Sequence, residues 1–250
     1  MVCRAEVALD TRLEELLPGY VLDPRGQVTL VALATHTSGL PRLRPDRLLF
    51  SRIHAGDPDP YRGLGRPWLA EAARATPLGE STAEPEYSNL GFWLLGEALA
   101  EAAGLGWAKL VQRRVLDVLG MASTSVLADA ATVAGHDEEG DVTGLWSMDL
   151  LPAAGALHSN IGDMLRFLVT HLNPASTALG QAVSLSLARH ADGVGLGWML
   201  GDDGIAWHSG GTGGFGAFIA LRASTGSGVV ALTNSCFREA IARVCRETLT

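Results

Sequence analysis

Residues Ile205 to Thr233 read IAWHSGGTGGFGAFIALRASTGSGVVALT. Short apolar runs alternate here with Gly-rich turns, the pattern of brief strands joined as hairpins. Strands are expected at Ile205–His208, Phe215–Ala223 and Val229–Thr233, with another upstream at Gly195–Met199. A helix from Phe237 to the C-terminus would close the run. The stretch Gly211-Thr212-Gly213-Gly214-Phe215-Gly216 matches G-x-G-x-x-G literally. A dinucleotide fingerprint needs a helix after those glycines, whereas Ala217 to Leu221 reads as strand. The glycines are instead expected to let a strand approach another backbone or a ligand closely.

Upstream the period changes to that of helices. Leu9, Leu13, Leu16 and Leu17 have helical spacing, stopped by Pro18-Gly19. A second helix fits Leu30 to Ala34, capped by Thr29. Residues 42–83, rich in Arg, Pro, Gly and Asp, read as a surface excursion with one short helix near Trp68 to Ala75. The strongest helix follows. Asn89 is expected to cap it, Leu90, Trp93, Leu94 and Ala98 form its apolar face, Glu97 and Glu101 the other, and Gly104 ends it. Further helices are expected from Trp107 to Val118 and from Asn160-x-x-Asp163 through His171. Helices in the middle and strands at the end give an α+β fold, helices packed on one antiparallel sheet. The expectation is a single domain over 1–250, with a helical lobe at roughly 28–190 and the strands and final helix at 191–250.

Composition narrows the function classes. At 250 residues and 47% hydrophobic content, a folded chain buries about three quarters of its unfolded surface. A net charge of −8 offers no basic footprint for nucleic acid. No run of eighteen apolar residues suggests a membrane span. Cys3, Cys236 and Cys245 form no C-x-x-C pair and no disulfide framework. His136 and the carboxylates of 137–141 match no metal-ligand spacing, so a solvated turn is expected and no metal or organic cofactor is implied. Met1 to Tyr20 lacks a secretory signal, which places the chain in the cytoplasm if Met1 is the natural start.

Three local patterns carry the chemistry: Thr35-His36-Thr37-Ser38-Gly39-Leu40, then Tyr87-Ser88-Asn89-Leu90-Gly91 before the strong helix, then His208-Ser209-Gly210-Gly211 on a strand. In this order they resemble the serine β-lactamases and penicillin-binding proteins, on the branch with class C β-lactamases, D-Ala peptidases and related esterases. The resemblance implies a β-lactamase/transpeptidase-like fold and hydrolysis or transfer of an acyl group from a small amide or ester. It assigns Tyr87 to proton movement and Asn89 to holding substrate through its amide. It assigns His208 to proton or anion handling, with Ser209 and Gly210 lining the substrate, and the Gly211 N–H to one oxyanion donor. One such donor is worth about 3–4 kcal/mol of the barrier. His36 to Gly39 is expected to be a structural turn.

The sequence departs from the pattern at its nucleophile. Relatives use the serine of Ser-x-x-Lys; here Lys109 is the only lysine, and Gly106 stands three residues before it. The resemblance therefore implies that the first strands and the nucleophile helix are missing, leaving an apolar groove open. A second copy of the chain or a separate completing chain would cover that groove. Ser88 and Ser209 are the candidate substitute nucleophiles. Two other readings stand beside the hydrolase: a non-catalytic binding or scaffold protein, and a non-covalent acid/base enzyme using Tyr87 and His208.

Overall fold

The computed structural model describes residues 1–250 other than 21–27, 44–51, 53, 54, 56, 58, 64, 65, 77–83, 127–131, 147, 149–151, 237 and 250. It is a mixed structure of helices and antiparallel sheet, in two compact units. The first is Met1–Leu110 with Ser147–Ala156 and Arg189–Leu196; the second is Val111–Trp146 with Leu157–Ala188 and Gly197–Thr250. The lobe expected at 28–190 is thus divided between them.

In the first unit, α1 spans only Leu13–Leu16. The longer helix expected from Leu9 does not form, because the carbonyls of Leu9 and Thr11 accept from Val31 and Leu30. Arg12 and Thr29 make an antiparallel bridge instead. Helix α2, Leu30–Ala34, is capped as expected: the Thr29 side chain accepts from the Ala32 N–H at 3.3 Å. Half of the 42–83 excursion lies outside the described residues; the described part is scattered positions and α3, Arg66–Ala75.

Helix α4, Asn89–Ala103, is the spine of this unit. Its four predicted core residues are all buried, and Gly104 ends it at a positive φ of 61°. Two expectations fail here. Glu97 is buried, because this helix is enclosed on most sides. Ser88, not Asn89, is the N-cap, with its side chain accepting from the Gly91 N–H at 2.9 Å. Gly96 is a point of close approach, since a Cβ there would stand 2.3 Å from that of Ala153 in α6, Pro152–Gly155. Helix α5 starts at Trp107–Val111, continues through a π-helical turn at Gln112–Leu116, and ends at Asp117–Leu119 before Gly120.

The second unit holds a two-stranded hairpin, β1 Gly135–His136 with β2 Val142–Thr143. The acidic turn between them is closed by the Asp137 side chain accepting from the Asp141 N–H at 2.8 Å. Asn160 opens α7, Ile161–Leu172, by accepting from the Asp163 N–H at 2.9 Å. Helix α8, Gly180–Leu187, had no clear sequence signal. The main sheet runs in the order β3 Met199–Leu200, β4 Ala206–Thr212, β5 Phe215–Arg222, β6 Ser227–Thr233, all antiparallel. One face packs on α7 through Leu168, Trp198, Ala206, Ile219 and Leu221. The other carries Ile205, Phe218, Ala220 and Cys245, the last from α9, Arg238–Glu247. The helix was expected to begin at Phe237, which lies outside the described residues.

The strand expected at Gly195–Met199 shrinks to the two residues of β3, because Gly197 has a φ of 78° and turns the chain out of the extended conformation. Strand β4 runs on past His208 to Thr212 instead. The Gly213-Gly214 turn then returns it to β5, in register Thr212 to Phe215. A Cβ on Gly214 would lie 2.7 Å from the His136 backbone nitrogen, and one on Gly213 would lie 2.9 Å from the Trp146 indole nitrogen. These glycines serve close approach, as the sequence suggests. Among the described residues no helix is long and apolar enough to cross a membrane.

Candidate active site

The first cluster is built around the turn that opens α4. The Ser88 N–H donates to His36 Nδ1 at 3.0 Å, in a buried bond that spans 52 residues of sequence. The Ser88 hydroxyl donates to the Pro41 carbonyl at 2.7 Å while accepting from Gly91. The Arg42 carbonyl accepts from the N–H groups of Asn89 and Leu90, and the Glu86 N–H donates to the His36 carbonyl at 2.8 Å. Each donor at this helix start therefore has a partner in the 36–42 segment or in Ser88.

His36 is the pin of the arrangement. It is 3% exposed, and it is one of two described non-glycine residues with positive φ, at 60°. Its ring centroid lies 4.4 Å from that of Tyr87 and 4.8 Å from that of Phe92. The conformation is costly for a histidine; the buried acceptor and two ring contacts offset the cost. The expectation of a structural turn at His36 to Gly39 thus acquires a mechanism.

The clamp bears on the predicted site residues. Tyr87 is fixed beside His36, with the Arg42 guanidinium carbon 5.5 Å from its ring centroid. Asn89, relieved of capping by Ser88, makes no side-chain hydrogen bond among the described residues. Ser88 is 1% exposed with both hydroxyl functions engaged, which disqualifies it as a substitute nucleophile.

The second cluster lies on β4. The Gly201 N–H donates to the Ile205 carbonyl at 2.9 Å, and Met199 is paired with Trp207. Antiparallel pairing alternates, so the odd-numbered residues of β4 turn their backbone groups toward the β3 side. Beyond Trp207 no described strand pairs on that side. Ser209 and Gly211 consequently present N–H and C=O groups along an open edge, and Ser209, Gly210 and Gly211 are all exposed.

Side chains alternate as well. His208 and Gly210 share the face of Ala206, whose partner Leu221 belongs to the α7 core. A Cβ on Gly210 would meet nothing within 4 Å. Across the sheet from Gly210 come Ala217 and then Leu232, which is 37% exposed. His208 thus stands at one end of an open, apolar stretch of sheet. Ser209 projects to the opposite face, with Trp207.

Burial sets the protonation of both clusters. It pushes the Tyr87 phenol above its ordinary value, with the Arg42 charge pulling the other way. It holds the His208 imidazole below the usual histidine value, in its neutral, proton-accepting form at neutral pH. Tyr87 and Asn89 belong to the first unit and His208 to Gly211 to the second. The sequence gives no signal for the contact of Arg42 with Tyr87, and it leaves His36 without a specific task.

An α+β fold of helices on an antiparallel sheet, with a Tyr-x-Asn turn and a His-x-Gly strand, defines the serine β-lactamase and penicillin-binding class. The chain belongs to the Beta-lactamase family, whose profile matches residues 1–247. It is 29% identical to the D-alanyl-D-alanine-carboxypeptidase/endopeptidase AmpH of Escherichia coli, over 78% of this chain and 55% of that protein. It is also 29% identical to penicillin-binding protein 4 of Amycolatopsis lactamdurans, over 94% of this chain and 67% of that one. A Beta-lactamase of Pseudomonas fluorescens is 23% identical over 96% and 75%. The chain thus spans about half the length of the carboxypeptidases that it matches.

Proposed function

We propose that this chain carries the proton-handling and carbonyl-binding groups of an acyl-transfer site for a small amide or ester, with the nucleophile supplied from outside these 250 residues. The open edge of β4 at Ser209 and Gly211 is the observation that carries this reading. A backbone N–H that no neighbouring strand uses is free to meet a developing oxyanion, and the open space at Gly210 leaves room for the acyl group beside it. Within the same unit His208, held neutral by burial, accepts a proton, while for Tyr87, in the other unit, the part in proton movement rests on the family resemblance.

Sequence chemistry supports an external nucleophile. The only lysine, Lys109, has a glycine three residues before it, so no Ser-x-x-Lys occurs. Two surfaces suit a completing segment or a second copy. Strand β6, SGVVALT, has no charged residue and no proline, and among the described residues no strand pairs along its outer edge. Such an edge invites strand addition. Ile161, Leu165 and Val169 form an exposed apolar stripe on α7 at four-residue steps. The absence of Ser-x-x-Lys also supports a second reading, in which the chain binds such ligands without turning them over.

Backbone amide NMR tests the carbonyl site. On titration with N-acetylalanine methyl ester, the Ser209 and Gly211 amide resonances are expected to move together, and Gly210→Ala should suppress the response. Unmoved Ser209 and Gly211 signals at saturating ester would refute the assignment.

A further inference from the structure

His36 touches the Tyr87 segment at three points. Its carbonyl accepts from the Glu86 N–H at 2.8 Å, and its Nδ1 accepts from the Ser88 N–H at 3.0 Å. One residue thus holds the backbone on both sides of Tyr87. The third point is the ring itself. Its centroid lies 4.4 Å from that of Tyr87, with 33° between the two planes. Phe92 also packs on the imidazole, at 4.8 Å and 30°.

The hydrogen bond fixes the state of the imidazole. A ring nitrogen that takes an N–H carries no proton, so the ring is neutral and its proton sits on Nε2. Acceptor and ring are separable features. The bond holds the backbone, and an amide oxygen could replace Nδ1 in it. The contact with Tyr87 needs a flat ring. That contact covers a phenol whose ionisation burial pushes up, against the pull of the Arg42 guanidinium 5.5 Å from the same ring. Helix α2, which ends two residues before His36, has no titratable side chain.

From this geometry we infer that His36 is a positioning residue for Tyr87, whose imidazole ring shields the phenol from water and holds its direction, apart from the backbone bonds that the same residue makes. A proton donor is controlled by where it points and by how far it is desolvated. His36 supplies both from a position fifty-two residues before Ser88 in the chain. The inference deepens the proposed function, because it rests on Tyr87 being a site position.

The test separates ring from acceptor. The chain has three tyrosines, so protein labelled with carbon-13 at the oxygen-bearing ring carbon of tyrosine gives three signals, and Tyr87→Phe assigns the one of interest. His36→Asn keeps an acceptor in the place of Nδ1 and tolerates the positive φ, but it has no ring. The Tyr87 titration should then fall toward the ordinary tyrosine value of about 10, with the Ser88 amide still protected from hydrogen exchange. His36→Phe keeps a flat ring and has no acceptor. It should leave the Tyr87 titration in place while the Ser88 amide exchanges about tenfold faster or more. Phe92→Leu loosens the imidazole without touching its bonds, should lower the titration too, and decides the matter if the His36 variants do not fold. An unchanged Tyr87 titration in His36→Asn or Phe92→Leu would overturn the inference. So would a fall in His36→Asn that came with loss of Ser88 protection, or an equal fall in His36→Phe, because the backbone would then be the cause. These readings need no ligand, so they fail independently of the ester-induced shifts at Ser209 and Gly211.

Discussion

The turn at Tyr87 and the strand at Ser209 carry the two clusters of predicted site residues, and they are built in opposite ways. At the turn every helix-start donor is consumed internally, by His36, by Arg42 and by Ser88, and Ser88 is 1% exposed. On the strand the backbone groups of Ser209 and Gly211 face outward, and Gly210 has empty space above it. The turn fixes the backbone that carries Tyr87 and Asn89 and packs the Tyr87 ring against His36. The strand offers its backbone itself. Substitutions should therefore cost stability at the turn and ligand binding at the strand.

The glycines of the β4–β5 hairpin sharpen that contrast the most. Gly214→Ala would drive a methyl into the His136 backbone, and overpacking of that kind should cost about 3 kcal/mol, read as a lower urea midpoint. Gly210→Ala, four residues away on the same hairpin, should stay within about 0.5 kcal/mol while abolishing the ester response. A large stability loss in Gly210→Ala would show that the space beside it is occupied by protein.

His36→Ala comes next. It removes the acceptor of a buried N–H together with a packed ring, a loss expected to total about 3 kcal/mol in denaturation. Ser88→Ala should cost about 2 kcal/mol, combining the lost cap with an unsatisfied Pro41 carbonyl. If either substitution left stability unchanged, the clamp would not be what holds Tyr87.

The smallest effect is the pH response. His208 is held below the ordinary histidine value by burial, and so is His171, packed between Phe167 and Trp198. Between the unfolded value near about 6.5 and the lower folded values, the unfolded chain binds more protons than the folded one. Stability is then complete above about pH 6.5, falls as pH drops through that window, and levels off below the folded values. Urea midpoints across this range should show the decline, and His171→Leu should flatten it. A rise in stability on acidification would contradict the burial argument.

How much was legible in the sequence depended on the range of the interactions. The β4–β5 and β5–β6 hairpins, Thr29 and Asn160 as caps, and the core face of α4 all follow from local spacing. Local alternation places Gly197 in a strand, because alternation says nothing about a positive φ. Local spacing does not choose between Ser88 and Asn89 as the cap, because Ser and Asn are equivalent at that position; the choice of Ser88 is made by Pro41 and His36, about fifty residues away. The burial of Glu97 and the reach of Arg42 to Tyr87 are likewise tertiary facts. Of the candidate site, the local motifs are legible in the sequence, and the contrast between a satisfied turn and an open strand edge is not.

The central claim, a carbonyl-binding site without its own nucleophile, is tested most directly by intact mass after incubation with a reactive β-lactam or an activated ester. The account predicts an unmodified mass for the chain alone. A stoichiometric adduct mapped to a serine such as Ser209 would contradict it.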